Sequence, residues 1–352
     1  MIDSSPLGHA IRRLTQGSHL SGPETAEAFG VLMRGEAGPA QIAALLMGLR
    51  VKGETSEEIA GAAQALRAAM VRLPVADVGP LVDTCGTGGG RLGTFNISTA
   101  AAFVVAAAGA PIAKHGNRSY TSRCGSADVL EALGIEISLP PQAAARVLER
   151  AGMVFLFAPT YHPAMRHVGP TRKELGVPTV MNLLGPLVNP AGVRRQVLGV
   201  AEPERGVLVA EALLRLGATH TLVVHAEVGM DEISPGGRTL VWEVREGRVA
   251  SWVLDPAVYG LAHGDLESLA GGDPAENATR VQRLLEGESD EAARRAVLLN
   301  AAAGIYVSGR EPTLARAVER AREALAGGAA RAVLETLRQV AGRAPVEARE
   351  GA

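Results

Sequence analysis

The stretch LVDTCGTGGGRLGTFNISTAAAFVVAAAGAPIAKHGNRSYTSRCGSAD, residues 81–128, decides the architecture. It reads as strand, polar loop and helix, twice over. Short apolar runs at Leu81–Asp83 and Pro111–Lys114 each lead through a polar loop into a helical stretch, Thr99–Ala108 and Ala127–Leu133. That alternation predicts α/β architecture with a mostly parallel, buried central sheet. Both loops then fall at the strand-to-helix edge where α/β proteins bind ligands.

The chemistry of the two loops points the same way. In the first, Gly86, Gly88, Gly89, Gly90 and Gly93 allow an anion to approach the backbone closely, and Asn96, Ser98 and Thr99 add side-chain contacts at a helix start. A tight turn with a capped helix needs fewer glycines. The second loop gathers Lys114, His115, Asn117, Arg118, Ser119, Thr121, Ser122, Arg123 and Ser126. Cations with hydroxyls suit phosphate or diphosphate, and Asn117 can read a neutral polar group. A solvated surface loop is the plain alternative, but this one lies between two core elements. A lone histidine such as His115 is more often hydrogen-bonded in place than catalytic. HAEVGMDE, residues 225–232, puts Asp231 and Glu232 on a loop after a strand, where hard oxygen ligands can meet Mg²⁺ and bound phosphates.

Further strands are expected at Ile135–Ser138, Met153–Phe157, Gln196–Val200 and Thr221–His225, with helices at Gln142–Ala151 and Gly206–Leu216. Thr239–Val244 and Val249–Val253 flank an Arg-Glu-Gly-Arg turn and read as a hairpin. Residues 1–73 carry only helical signals: Ser21 with Glu24, Pro39 at a first helical position, and Thr55 with Glu58. This is a small helical domain. The segment 162–190, with TRKELG and TVMNLLGPLVNP, is expected to cross back to it and to turn its asparagines and Arg172 toward a cleft. The α/β domain takes residues 74–161 and 191–344, with later helices at Glu276–Leu285, Ala296–Val307 and Thr313–Leu325, and residues 345–352 read as a disordered tail.

With 352 residues, 47% of them hydrophobic, and a net charge of −2, the chain has a large core and no basic field for nucleic acid. Two cysteines exclude a disulfide framework. No apolar run is long enough to span a membrane and the N-terminus lacks a signal core, so a cytoplasmic location is expected.

The motifs DTCGTGGG, NIST, KHGNRS, GSADVLEALG, RKELGVPT, NLLGPLVNP and HAEVGMDE, in this order and spacing, resemble the anthranilate phosphoribosyltransferase family. The likeness continues through GGDPAENA and VLLNAAAGIYVSG and so covers nearly the whole chain. It implies transfer of the phosphoribosyl group of 5-phosphoribosyl 1-pyrophosphate (PRPP) to the amine of anthranilate in tryptophan biosynthesis. It also implies Mg²⁺ as cofactor and a homodimer formed through the helical domains.

Carried over by motif, PRPP would meet Gly86, Gly89, Gly90, Thr94, Asn96, Ile97, Ser98 and Thr99 of the first loop. From the second it would meet Lys114, His115, Gly116, Asn117, Arg118, Ser119, Tyr120, Thr121, Ser122 and Ser126. Ser98, Asp231 and Glu232 would hold the metal; Gly86, Asn117 and Arg172 would contact anthranilate; Lys114 and Glu232 would stabilise the leaving group. One position departs from the family's usual GTGGD, since Gly90 stands where relatives carry aspartate. Two other readings share the plan: a pyrimidine nucleoside phosphorylase, and a nucleic-acid-binding relative without catalysis.

Overall fold

The computed structural model describes residues 4–119 and 123–350, and for 345–350 it describes the backbone. Tyr120, Thr121 and Ser122, expected in the second loop, lie outside the described residues, as do 351–352 of the expected tail.

Four helices open the chain: α1 (Pro6–Thr15), α2 (Gly22–Met33), α3 (Pro39–Lys52) and α4 (Ser56–Ala69). Their starts are set by the local chemistry read from the sequence. Glu24 reaches back to the Ser21 N–H at 2.8 Å, and that bond, with the Ser21 hydroxyl, holds its carboxyl down at about 2. Glu58 does the same for Thr55 at 2.8 Å, then uses its other oxygen on the Leu20 N–H at 2.8 Å. Lys52 sits 2.9 Å from the buried Glu58. The cap of α4 therefore also fixes the turns before α2 and after α3.

The α/β part is one seven-stranded sheet: β1 (Val82–Gly86), β2 (Ile112–Gly116), β3 (Met153–Phe157), β4 (Arg195–Gly199), β5 (His220–Ala226), β6 (Thr239–Arg245) and β7 (Arg248–Leu254). The order is β3-β2-β1-β4-β5-β6-β7. The first five strands run parallel, and β6 and β7 extend the edge as an antiparallel hairpin. From β1 the chain builds outward to β2 and β3, then returns to the other side of β1 as β4. The β1–β4 boundary is thus the point where strand order reverses, and its carboxyl end is formed by Gly86 opposite Gly199.

Helices α5 (Ile97–Ala107), α6 (Ser126–Ala132) and α7 (Pro141–Ala151) follow the first two loops. A short α8 (Ala158–Tyr161) follows β3, the crossover holds α9 (Gly169–Leu175) and α10 (Val180–Leu184), and α11 (Glu204–Arg215) joins β4 to β5. Helices α12 (Pro274–Leu285), α13 (Glu291–Ser308), α14 (Leu314–Ala326) and α15 (Ala329–Glu350) complete the chain. Small residues let α13 lie against α5: a Cβ at Gly304 would come within 2.6 Å of Val105 Cγ2. On the opposite face, α1–α4 share a second core with the crossover (Val180, Leu184, Leu187) and with Leu198, Val209 and Val223 of the sheet and α11. The fold is a small helical domain on a larger α/β domain, as expected.

Three expectations are corrected. Ile135–Ser138 is not a strand: Ile135 and Ile137 alternate into the core, but β3 already occupies the outer side of β2, and Pro140-Pro141 end the segment. Residues 345–350 are helical rather than disordered, because α15 continues to Glu350. Pro345 removes one backbone donor, while the alanines, glutamates and arginines around it favour helix. Asn189 does not face a cleft; its amide donates to Asp83 Oδ2 and to the Ala113 carbonyl, both at 2.8 Å.

Candidate active site

The first glycine loop leaves β1 at the reversal point and is held from several sides. Gly88 and Gly89 adopt φ of 69° and 87°, the left-handed region in which other residues are strained. Thr87 N–H donates to the Gly199 carbonyl at 2.9 Å and Arg91 N–H to the Gly229 carbonyl at 2.9 Å. Farther along, Phe95 N–H bonds Leu269 O at 2.9 Å, Gly271 N–H bonds Gly93 O at 2.8 Å, and Arg280 lies 4.3 Å over the Phe95 ring. Asn96, at the α5 start, takes a bond from Asn277 Nδ2 at 3.0 Å and donates to the Cys124 carbonyl at 3.4 Å. Asn96 therefore ties the first loop to the second.

The acidic pair folds back onto this loop. Asp231 Oδ2 accepts the Gly88 N–H at 3.1 Å, and Glu232 Oε1 accepts the Thr94 hydroxyl at 3.3 Å. A Cβ at Gly199 would run into the Asp231 carbonyl, so the acidic turn can approach β4 only over glycine. A Cβ at Gly90 would lie 2.9 Å from Asp231 Oδ1 and 3.3 Å from Asp231 N. A side chain at position 90 therefore requires the Asp231 carboxylate to shift.

Burial raises the carboxyl of Asp231 and, helped by the Asp231 charge, raises that of Glu232 well above its ordinary value. Glu232 Oε2 is buried with no hydrogen-bond partner among the described residues. Two carboxylates and nearby hydroxyls are a hard-oxygen set suited to Mg²⁺, and this orphaned oxygen is the unsatisfied acceptor that a cation would complete. Ser98 lines the same small cavity as Asp231, Glu232 and Asn300.

Lys114, in the middle of β2, is buried and donates to the Thr84 carbonyl and, at 3.3 Å, to Ser98 Oγ. Burial lowers its pKa, while the Asp83 charge opposes that shift. Asp83 is fully buried, accepting from Asn189 Nδ2 at 2.8 Å and from the His115 N–H at 3.2 Å. It is raised by burial and drawn back by Lys114. His115 Nδ1 lies 3.2 Å from the Gly185 carbonyl, which can only accept, so that nitrogen carries the proton. Burial, then the neighbouring His162 ring at 5.0 Å, depresses His115 to about 3.

The rest of the second loop is closed by Asp128, whose Oδ2 accepts from Gly125 N at 2.8 Å and Ser119 N at 3.3 Å. Ser126 Oγ donates to the Asn117 carbonyl at 3.4 Å, and Asn117 Oδ1 caps Arg118 N at 2.8 Å. The Arg118 guanidinium pairs with Asp128 at 2.9 Å and with Glu131, on the outer side of the loop. Those carboxylates already neutralise its charge, so an anion here must compete with them. Arg172 is half-buried on α9, carried by the crossover rather than by the sheet. A cleft of ≈ 180 Å³ separates the helical domain from the first loop, lined by Arg50, Thr87, Gly88, Gly89, Thr179 and Asn182. Of the two crossover asparagines, Asn182 faces it.

Sequence reasoning missed Asp83, Asn189, Asn277 and Asn300 as supports of the site. The last three sit at buried positions inside recognisable motifs, NLLGPLVNP, GGDPAENA and VLLNAAAGIYVSG. For Asn189 and Asn300 the signal was a lone amide within an apolar stretch, because a buried amide needs partners; Asn277, in the polar run DPAENA, gave none.

Two loops at the carboxyl edge of a parallel sheet, the glycine-rich one at its reversal point, with a buried lysine and a carboxylate pair turned onto it, define an enzyme that handles phosphorylated substrates. The sequence comparisons narrow this. Residues 78–331 match the family described as glycosyl transferase family, a/b domain, and residues 8–70 match its helical bundle domain. The anthranilate phosphoribosyltransferase of Thermomicrobium roseum is 50% identical over 335 residues, 94% of this chain and 96% of the relative. The crystal structure of the enzyme of that name from Thermus thermophilus superposes with a TM-score of 0.89 at 47% identity, covering 94% of this chain and 99% of that one. The Saccharomyces cerevisiae enzyme in complex with PRPP and Mg gives 0.87 at 29% identity, over 97% and 99%. The chain belongs to this glycosyl transferase family and, within it, to the anthranilate phosphoribosyltransferases.

Proposed function

We propose that this chain joins C1 of PRPP to the amine of anthranilate with the two loops and the acidic turn as its working parts. The observation that carries the reading is the convergence of Lys114, Ser98, Thr94, Asp231 and Glu232 beside the first glycine loop. In the reaction the amine nitrogen bonds to C1 as the C1–diphosphate bond breaks, and the amine proton is lost after attack. Positive charge develops on the ribose and negative charge on the departing diphosphate.

The backbone N–H groups of the first loop and of the α5 start, with Asn96, Ser98 and Thr99, would bind the donor phosphates. Lys114 would supply fixed positive charge to the leaving diphosphate. Asp231, Glu232 and Ser98 would hold Mg²⁺, which when bound adds charge neutralisation at the same oxygens. His115 is held neutral by burial and is best suited to lining the site, not to taking a proton. Asn117 and Gly86 would meet anthranilate, and Arg172 would pair with its carboxylate once the crossover closes on the loops. A homodimer through the helical domain fits the exposed Val51 on α3, and light scattering should give the mass of two chains. Two cysteines without a disulfide accord with a cytoplasmic setting, which fractionation would check.

The test is the loss of anthranilate fluorescence with PRPP and Mg²⁺. Arg172→Ala should raise KM for anthranilate and leave that for PRPP nearly unchanged. No consumption by folded protein would end the reading, and equal effects on both substrates would make Arg172 structural.

A further inference from the structure

We propose that Asn300 is a positioning residue: from α13 it sets the turn that carries Asp231 and Glu232, and so governs how tightly that pair takes a divalent cation. The proposal rests on the reading of the acidic pair as the metal site.

Asn300 lies within a helix that is apolar over most of Ala296–Val307, and it is only 5% exposed. Its Oδ1 accepts the Ile233 N–H at 3.1 Å. Its Nδ2 donates to the Ile233 carbonyl at 2.8 Å and to the Ala296 carbonyl at 2.9 Å. The side-chain amide thus grips the backbone of Ile233 from both sides, through its N–H and its C=O.

The Ile233 N–H belongs to the peptide that leaves Glu232. Fixing that plane fixes the backbone rotation from which the Glu232 side chain springs. This matters because the carboxylate has little else to hold it: Oε1 takes one bond from Thr94 at 3.3 Å, and Oε2 has none among the described residues. The other side of the turn is braced by the Asp231 carbonyl against Gly199. Asn300 and Glu232 line one cavity, so the brace and the braced group are neighbours with no intervening layer. Groups that orient metal ligands without touching the metal typically change affinity roughly 10- to 100-fold when removed.

A purely structural amide would cost stability and leave metal affinity alone. The experiment separates these with Mn²⁺ as probe, its free concentration read from the electron paramagnetic resonance signal. Asn300→Leu, of similar size and uncharged, should raise the Mn²⁺ dissociation constant roughly 10- to 100-fold; Asn300→Ser serves the same purpose if the leucine variant does not fold. Gly304→Ala, on the same helix as Asn300, crowds Val105 of α5 without touching the turn, and should lower the melting temperature with no change in Mn²⁺ affinity. Parental affinity in the Asn300 variants, or an equal loss in Gly304→Ala, overturns the proposal. A Glu232→Gln arm distinguishes the two levels: no Mn²⁺ binding by the parent, or binding indifferent to Glu232→Gln, overturns the acidic-pair reading itself and the proposal with it.

Discussion

Asp83→Asn isolates the buried charge beneath the site. The substitution keeps the shape of the side chain but removes its charge and turns an amide donor toward groups that already donate. Asp83 is fully buried and accepts from Asn189 Nδ2 at 2.8 Å, from the His115 N–H at 3.2 Å and from Gln196 Nε2 at 3.4 Å. Hydrogen bonds to an ionised acceptor contribute about 1.5–3 kcal/mol each. Asp83 also acts through space on the buried Lys114, whose ammonium is hydrogen-bonded to the Thr84 carbonyl and Ser98 Oγ, and removing a compensating buried charge costs about 3–5 kcal/mol. The two figures count overlapping interactions, so the loss should be about 3–5 kcal/mol in total. At this chain length roughly 2 °C accompanies each kcal/mol, which gives a fall of roughly 6–10 °C in the melting temperature. Circular dichroism melting at neutral pH measures it. A shift below about 2 °C would refute the reasoning, because Lys114 would then not depend on Asp83.

Two further outcomes follow from buried groups elsewhere. His115 and His162 are lowered from 6.5 to about 3 and about 4, chiefly by burial. Their unfolded forms take protons first as pH falls, so the stability they contribute is complete above 6.5 and is lost on acidification toward those folded values. Each should contribute a slope of about 1.4 kcal/mol per pH unit in that window. His162→Gln should remove one such slope relative to the parent, read as melting temperature against pH; parallel curves would contradict this. Arg205 of α11 pairs with Glu54, which follows α3 and is 1% exposed in its side chain, so the pair links the two domains. Arg205→Met should cost about 3 kcal/mol, with most of it recovered when Glu54→Leu is added; a single variant as stable as the parent in urea would refute that.

Much of this architecture was legible because it is local. The capping residues Ser21, Thr55 and Pro39 announced three helix starts, and strand-loop-helix periodicity around residues 81–128 announced the parallel sheet and placed both loops at its ligand-binding edge. Ile135–Ser138 misled because alternating burial looks the same whether a segment pairs in a sheet or merely covers a core. The tail misled because a chain end is commonly disordered, whereas here the helix-forming alanines, glutamates and arginines carry α15 on to Glu350. The candidate site was legible as a set of residue types, but its assembly was not. That Asp231 would seat itself against Gly88 and the space beside Gly90, or that Asn189 and Asn300 would hold distant backbone, depends on contacts more than sixty residues apart in sequence. Arg118 is the instructive case: its charge suggested an anion ligand, and the fold gives it Asp128 and Glu131 first.

The central claim is that leaving-group stabilisation by the acidic turn, with no general base at His115, carries the reaction. The direct measurement is steady-state turnover of Glu232→Gln and His115→Ala at saturating PRPP, anthranilate and Mg²⁺. Glu232→Gln should lose roughly 10²- to 10³-fold in kcat, the usual cost of one electrostatic contact to developing charge, and His115→Ala far less. Comparable losses in the two variants would contradict the account.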